Sequence, residues 1–452
     1  MDVKGKKVLV FGSGKSGIGA ADLLGAAGAC PVIFDGNIAV RPESVVEKTS
    51  GKYPVEVYVG ELPADVLASI RLVVLSPGVP VGLPEVQSFY EQGLPVWGEV
   101  ELAYRMGKGE VLAITGTNGK TTTTALLGKI MSDAKDSVFV VGNIGTPYTS
   151  RALDMREDSV TVAEISSFQL ETIDRFAPRV SAILNITEDH LNRHHTMEEY
   201  IRVKELITKN QTPEDFCILN YEDEVLREFG KTAVPKVVWF SSRRKLPEGI
   251  YLDGDQIILK TAEEEIPVVR MMELQLLGTH NYENVMAAVA MAYYAGVSME
   301  QIRESVCAFT AVAHRIEFVE EKHGVAYYND SKGTNPDAAI KGIQAMNRPT
   351  LLIGGGYDKQ SSYDEWIEAF DGKVRYLVLI GQTREKIRDA ASRLGFTDCV
   401  LCDNLEEAVA FCAAHAREGD AVLLSPACAS WGQFDNYEQR GDMFKEYVRK
   451  LE

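Results

Sequence analysis

The stretch Glu110–Thr124, E-V-L-A-I-T-G-T-N-G-K-T-T-T-T, collects residue types that handle phosphate. An apolar run from Val111 to Ile114 breaks at Gly116 into a glycine-bearing loop, and Lys120 and Thr121 then open a helix, A-L-L-G-K-I-M. Strand, loop and helix N-terminus together offer backbone N–H groups and a partial positive charge to phosphate oxygens. Gly116 and Gly119 let the backbone crowd the anion, Lys120 can reach terminal phosphates, and the Thr121 hydroxyl can ligate magnesium. The loop departs from the usual G-x-x-x-x-G-K-[ST], because position 114 is Ile114 and the first glycine falls at Gly116. A plain glycine turn would explain the glycines, but not the Lys-Thr-Thr that follows them.

Further chemistry clusters at the ends of apolar runs downstream. V-F-V-V-G ends at Asn143, T-V-A-E-I-S-S carries Glu164 and Ser166, and V-S-A-I-L-N-I-T leads into Glu188-Asp189-His190. Such runs suit strands of a parallel sheet buried on both faces, and open α/β sheets bind ligands at those strand ends. Glu164 inside an apolar strand is costly to bury unpaired, which favours a magnesium ligand. His190 alone would read as a satisfied core histidine; beside Glu188 and Asp189 a site role is expected. Lys204, in E-E-Y-I-R-V-K-E-L-I, reads as a solvated helix residue. Residues 221–275 are mixed, suggesting short strands and loops. A helix then starts near Thr279, available as its cap, with Asn281 and Asn284 in its first turns.

The elements that position these groups fall into three segments, expected at 1–97, 98–309 and 310–452. The first carries Gly12, Gly14 and Gly17 after a strand and Asp35 at the end of the next, a dinucleotide fingerprint. That unit can seat any nucleotide diphosphate, and Asp35 also reads as a solvated strand-end carboxylate. A further strand, Leu72 to Leu75, ends in Ser76-Pro77-Gly78. The last segment repeats strand-then-polar-end four times, carrying Asp330, Lys332 and Thr334, then Lys359, then Thr383 and Arg384, then Ser425 and Ser430. Four polar strand ends in one sheet describe a site more often than ordinary solvation. Arg315 precedes this sheet, placed to reach toward the phosphate loop or to form a surface ion pair. The fold class is therefore α/β: three domains, each a mainly parallel sheet with flanking helices, Rossmann-like at both ends with a central variant P-loop domain.

The chain has 452 residues, 45% of them hydrophobic, and a formal charge of −18. That charge argues against nucleic acid or an anionic membrane as the main partner, so anionic ligands need local cations. No apolar run approaches membrane-spanning length and the N-terminus enters a strand without a cleavable leader, so a cytoplasmic protein is expected. Seven thinly spread cysteines suit a reducing compartment. Cys399-x-x-Cys402 with Cys412-x-x-His415 superficially reads as a zinc site. Residues three apart on a strand face opposite ways, however, which disfavours a shared metal.

With these residues in place, the chain resembles the Mur ligases over essentially its whole length. T-G-T-N-G-K-T-T, Asn143-Ile144-Gly145, E-I-S-S-F-Q-L-E, L-N-I-T-E-D-H, G-T-H-N-Y-E-N, A-H-R-I-E, N-D-S-K-G-T-N, and L-S-P-A-C-A-S-W followed by N-Y-E-Q-R-G fall in that family's order. The S-P-A-C-A-S and Q-R-G blocks look like those of the D-glutamate-adding members. The resemblance implies ATP-dependent, ADP-forming addition of D-glutamate to UDP-N-acetylmuramoyl-L-alanine, through an acyl phosphate and a tetrahedral intermediate, in peptidoglycan precursor synthesis by a monomeric enzyme. It implies that Gly116, Thr117, Asn118, Gly119, Lys120, Thr121, Thr122, Asn284, Arg315 and Asp330 contact ATP. Ser16, Asp35, Gly78, Asn143, Ser166 and His190 would seat the UDP-substrate, and Lys332, Thr334, Lys359, Ser430 and Tyr437 would surround D-glutamate. Two magnesium ions would be held by Thr121 and Glu164 and by His190 with a carbamylated Lys204; Lys120, His190, Lys204 and Arg315 would serve catalysis. Gly36-Asn37 replace a threonine-arginine pair of some members, Tyr437 replaces Phe, and Trp431 replaces Leu. A nicotinamide oxidoreductase would leave the phosphate loop idle, a nucleotide-binding switch would not need three converging domains, and a sister ligase adding another amino acid is the nearest alternative. Catalysis should require the third domain to close on the second.

Overall fold

The computed structural model describes residues 3–143, 145–276, 278–310 and 313–451; Ile144 of the Asn-Ile-Gly block lies outside them. Among the described residues three sheets form, mainly parallel and flanked by helices, which is the α/β architecture expected above. The first contains β1 (Lys7–Phe11), β2 (Cys30–Asp35), β3 (Glu56–Val59), β4 (Ile70–Leu75) and β5 (Val96–Gly98), all parallel in the order β3-β2-β1-β4-β5. Successive residues of β1 serve opposite faces: Val8 and Val10 enter one core cluster, Leu9 and Phe11 the other. A parallel strand covered on both sides must be apolar at both parities, which is why K-V-L-V-F shows no polar alternation.

The second sheet contains β6 (Glu110–Thr115), β7 (Val138–Gly142), β8 (Val160–Glu164), β9 (Val180–Ile183), β10 (Phe216–Asn220), β11 (Lys236–Ser241), β12 (Gly249–Asp253), β13 (Gln256–Lys260) and β14 (Glu265–Arg270). Its order is β14-β13-β12-β11-β10-β9-β6-β8-β7, with β12, β13 and β14 running as antiparallel hairpins. The carboxyl ends of β6, β8 and β9 are therefore neighbours, bringing the phosphate loop, Glu164 and the segment before His190 to one edge. The third sheet holds β15 (Glu317–Lys322), β16 (Val325–Asn329), β17 (Thr350–Gly355), β18 (Val374–Ile380), β19 (Cys399–Leu401) and β20 (Ala421–Leu424), in the order β15-β16-β20-β17-β18-β19. β15 is its antiparallel edge strand.

The chain packs as two compact units, Met1–Met271 with Glu283–Val306, and Met272–Tyr282 with Cys307–Glu452. The segment 272–282, numbered within the central stretch, thus belongs by its contacts to the unit of the third sheet. Among the described residues no helix is long and apolar enough to cross a membrane.

Candidate active site

The phosphate loop follows β6 directly. Gly116 and Gly119 take φ of +144° and +86°, backbone that side-chain-bearing residues resist, and a Cβ on Gly119 would come 2.3 Å from Asn284 Oδ1. Asn284 Oδ1 also accepts from the Thr123 hydroxyl at 3.3 Å, so the loop and the helix Thr279–Tyr294 touch through this side chain. The loop is cradled from β9's end: Asn118 N donates to Asn185 Oδ1 at 2.8 Å, Thr117 N donates to Asn185 O at 2.9 Å, and the Thr117 hydroxyl lies 3.1 Å from that of Tyr200. Lys120 Nζ donates to the carbonyls of Gly116 and Thr117 at 2.8 and 2.9 Å. Thr121 and Thr122 are the next residues of the helix Lys120–Ala134, which ends the loop.

Glu164 closes β8 one strand away and is 2% exposed. Its Oε1 accepts from Asn143 Nδ2 at 2.7 Å, while the buried Oε2 has no hydrogen-bond partner. A buried carboxylate oxygen left open is costly unless a cation meets it, so its chemistry fits a magnesium ligand. Among the described residues no group of three His, Cys, Asp or Glu stands ready to hold a metal. Magnesium bound through one or two protein oxygens plus phosphate needs no such cage.

Lys204 departs from its sequence pattern. It is buried in the helix Met197–Glu205 with Tyr200 and Val203, and its Nζ donates to Gly116 O at 2.9 Å, the carbonyl that Lys120 also uses. Burial first, then the charge of Lys120, pull its ammonium down to about 7, with Asp189 opposing. His190 is exposed, takes φ +53°, and begins the short helix Leu191–His194, with its ring 4.9 Å from that of Phe168. Ser166 caps the helix that follows β8 through a reciprocal pair with Gln169. Gln169 Nε2 in turn donates to the buried Glu99 at 2.7 Å, and burial pushes that carboxyl up to about 7.

In the first sheet the fingerprint acid is already engaged. Asp35 accepts from the Ser13 hydroxyl, from Ser13 N at 2.9 Å and from Asn37 N at 3.0 Å. Desolvation opposes these bonds, yet they hold its carboxyl below the usual range. Ser16 lies in the first turn of the helix Lys15–Ala26, and Gly78 is exposed with open space where a Cβ would stand.

The other polar strand ends gather in the second compact unit. Asp330, buried, follows β16 directly; its Oδ2 accepts from the Ser425 hydroxyl at 2.7 Å, and burial raises its carboxyl to about 7 against Ser425 and Arg315. Arg315 is half-buried, and its Nε has no hydrogen-bond partner. Lys332 Nζ sits 5.7 Å from the Tyr437 ring centre, and Ser331 Oγ donates to Tyr437 O at 2.8 Å. Lys359 lies 5.1 Å over the Trp431 ring, Ser430 is buried just before it, and Thr334 is half-buried beyond Lys332. Arg440 joins these pieces: fully buried, it donates to Ser331 Oγ, Ser331 O and Cys428 O at 2.9, 2.8 and 3.1 Å. Arg440, Asn185 and Gln169 fall in the blocks that carry the family resemblance but had no role of their own in the sequence, and Glu99 stood outside them. The Q-R-G block that contains Arg440 was the available signal for it, while the contacts of Asn185 and of Glu99 with Gln169 join residues far apart in the chain.

Three family models match in order: Mur ligase MurD-like, N-terminal domain at residues 6–98; Mur ligase middle domain at 114–292; and Mur ligase, glutamate ligase domain at 314–428. The UDP-N-acetylmuramoylalanine–D-glutamate ligase of Lachnoclostridium phytofermentans is 57% identical over 100% of this chain and 99% of its own length. The enzyme of that name from Clostridioides difficile is 45% identical over the full length of both. Among solved structures, the UDP-N-acetylmuramate-alanine ligase of Thermotoga maritima matches with TM-score 0.60 at 18% identity, over 98% of this chain and 99% of that one. MurF of Acinetobacter baumannii matches with TM-score 0.60 at 18% identity, over 86% and 87%. On full-length identity well above what chance or fold alone would give, this chain belongs to the Mur ligase family.

Proposed function

We propose that the chain adds D-glutamate to UDP-N-acetylmuramoyl-L-alanine with conversion of ATP to ADP and phosphate. The observation that carries the reading is the edge where Lys120 and Lys204 share the Gly116 carbonyl one strand from the open oxygen of Glu164, in a chain 57% identical to a ligase named for this reaction. A carboxylate does not condense with an amine in water unless it is activated first. Here an alanyl carboxylate oxygen attacks the γ-phosphorus of ATP, the bond to the β-phosphate oxygen breaks, and ADP leaves. The D-glutamate nitrogen then attacks the acyl carbon, giving a tetrahedral intermediate that expels phosphate as the nitrogen loses its proton.

Every partner is an anion, so the chain's task is neutralisation and alignment. Lys120 and the loop amides face the phosphates, while Asn284, Arg315 and Asp330 contribute to ATP binding. Thr121 and Glu164 would hold one magnesium ion, and His190 with Lys204 another, where the metal supplies charge neutralisation at the transferring group. The depressed ammonium of Lys204 leaves a neutral amine that can add carbon dioxide, and the resulting carbamate would be a hard oxygen ligand. Ser16, Asp35, Gly78, Asn143, Ser166 and His190 take the UDP-substrate; Lys332, Thr334, Lys359, Ser430 and Tyr437 take D-glutamate. The same reading carries with it domains at 1–97, 98–309 and 310–452, and a monomeric cytoplasmic enzyme.

The test is phosphate release from ATP with UDP-N-acetylmuramoyl-L-alanine, screened over amino acids. Release only with D-glutamate is expected; equal turnover with L-lysine or D-alanyl-D-alanine would move the chain to a sister activity.

A further inference from the structure

The helix after β8 does more than receive the Ser166 cap. Ser167 Oγ lies 3.0 Å from His194 Nε2, and Glu171, one residue past the helix Ser167–Leu170, meets the residue before that histidine, Arg193. Arg193 Nε and Nη2 donate to Glu171 Oε1 and Oε2 at 3.2 and 2.5 Å, a two-pronged pair with side chains only 12% and 8% exposed. Nη2 also donates, at 3.0 Å, to the carbonyl of Val79, which follows the Ser76-Pro77-Gly78 loop after β4. The guanidinium carbon stands 4.9 Å from the Phe168 ring centre, and that ring stands 4.9 Å from the imidazole of His190. One side chain from the second sheet's edge therefore grips the first sheet's loop and, through one aromatic ring, the turn bearing His190.

Stability is a weak reason for such an arrangement. Desolvating an ion pair offsets much of its attraction, and apolar replacements of buried pairs often match them. What a planar fork supplies is angle: with two carboxylate oxygens and a carbonyl all engaged, the guanidinium has one orientation, and whatever packs on its face is held in register.

We infer that Arg193 is a positioning residue for the ligation. It ties the loop that takes the UDP-substrate near Gly78 to the turn that carries His190, so that binding at one part of this substrate fixes the place of its carboxylate at the phosphate loop. The inference rests on the assignment of Gly78 and His190 to one substrate under the proposed function. Binding energy from a remote part of a substrate can serve alignment at the reacting centre only through a stiff connection, and displacements near 1 Å cost on the order of a hundredfold in rate.

Two variants test it. Arg193→Met is made together with Glu171→Gln, so that no buried carboxylate is left unpaired, and Phe168→Leu is made alone, leaving the ion pair intact. Calorimetric titration with UDP-N-acetylmuramoyl-L-alanine, and separately with a non-hydrolysable ATP analogue, is combined with steady-state kinetics. Both variants should bind UDP-N-acetylmuramoyl-L-alanine about tenfold more weakly and lose about tenfold in kcat, while ATP-analogue affinity and the KM for D-glutamate stay within about twofold. A general loss of structure would move all four quantities together, and that outcome overturns the inference. Parent-like binding and turnover in Phe168→Leu also overturns it, because the route to His190 runs through that ring; this variant decides the matter alone if the double variant does not fold. Failure of the unsubstituted chain to bind UDP-N-acetylmuramoyl-L-alanine would instead remove the functional reading itself.

Discussion

Replacing Lys204 with Met measures how strongly the edge of the second sheet resists a cation. Lys204 is 2% exposed, and burial with the nearby Lys120 charge brings its ammonium from 10.5 down to about 7. At about 1.4 kcal/mol per pH unit, that interval of roughly 3.5 units amounts to about 5 kcal/mol. The folded value lies below the unfolded one, so between the two the unfolded chain binds the additional proton. Stability therefore rises with pH from about 7 to about 10.5, and the full cost is present below 7. Methionine has a stem of similar length without the charge and loses one hydrogen bond to Gly116 O, worth about 1 kcal/mol. The variant should thus exceed the parent in stability by at most about 4 kcal/mol at about pH 6, and the advantage should fade toward about pH 10. The assay is the difference in thermal midpoint between the two proteins across that range, in buffer free of nucleotide, metal and carbon dioxide. A difference independent of pH, or one largest in alkali, would refute the reasoning. The variant should also be nearly inactive, a trade of stability against function.

Two further outcomes follow from other groups. Asp330 presents the opposite sign: burial raises its carboxyl from 3.8 to about 7, so the folded chain loses stability as pH rises between those values and the cost is complete above 7. Asp330→Asn, nearly isosteric, should raise the melting temperature of the second compact unit at about pH 8 and converge with the parent toward about pH 4, with an unchanged midpoint at the higher pH counting against the assignment. Lys120→Ala should lower acyl phosphate formation on the order of a hundredfold while sparing calorimetric binding of UDP-N-acetylmuramoyl-L-alanine; lost binding with normal turnover at saturation would exchange the two nucleotide sites.

The strands and the glycine turn between β6 and its helix were legible because their cause is local. Val111 to Ile114 form the buried strand that their unbroken apolar run required, and the glycines after it take the positive φ that marks a tight turn, +144° at Gly116 and +86° at Gly119. Lys204 was misread because its neighbours Glu198, Glu199 and Arg202 make the helix look wet. Yet it stands four residues after Tyr200 and next to Val203, on the same buried stripe, and that spacing was available. The place of Asp35 at the end of β2 was legible, but its engagement by Ser13 needed the fold. Glu99 with Gln169, Arg193 with Val79, and Asn118 with Asn185 join residues 67 to 114 positions apart, and no periodicity in a single chain reports such pairs. The grouping of 272–282 with the third sheet's unit is equally invisible in composition, since the division falls within the helix Thr279–Tyr294.

The shared carbonyl of Gly116 bears on how tightly the enzyme can afford to hold its nucleotide. Lys120 gives two hydrogen bonds to the loop's own oxygens, and Lys204 gives a third to one of them. If Lys120 serves phosphate as proposed, the phosphate exchanges for those bonds, and the gain is the difference between a charged acceptor and two neutral ones. Departure runs the exchange backwards, with carbonyls ready to take back the ammonium as ADP leaves. On that assignment, nucleotide binding and release trade one set of lysine hydrogen bonds for another, which suits a catalyst that must discard one ADP for every bond it makes.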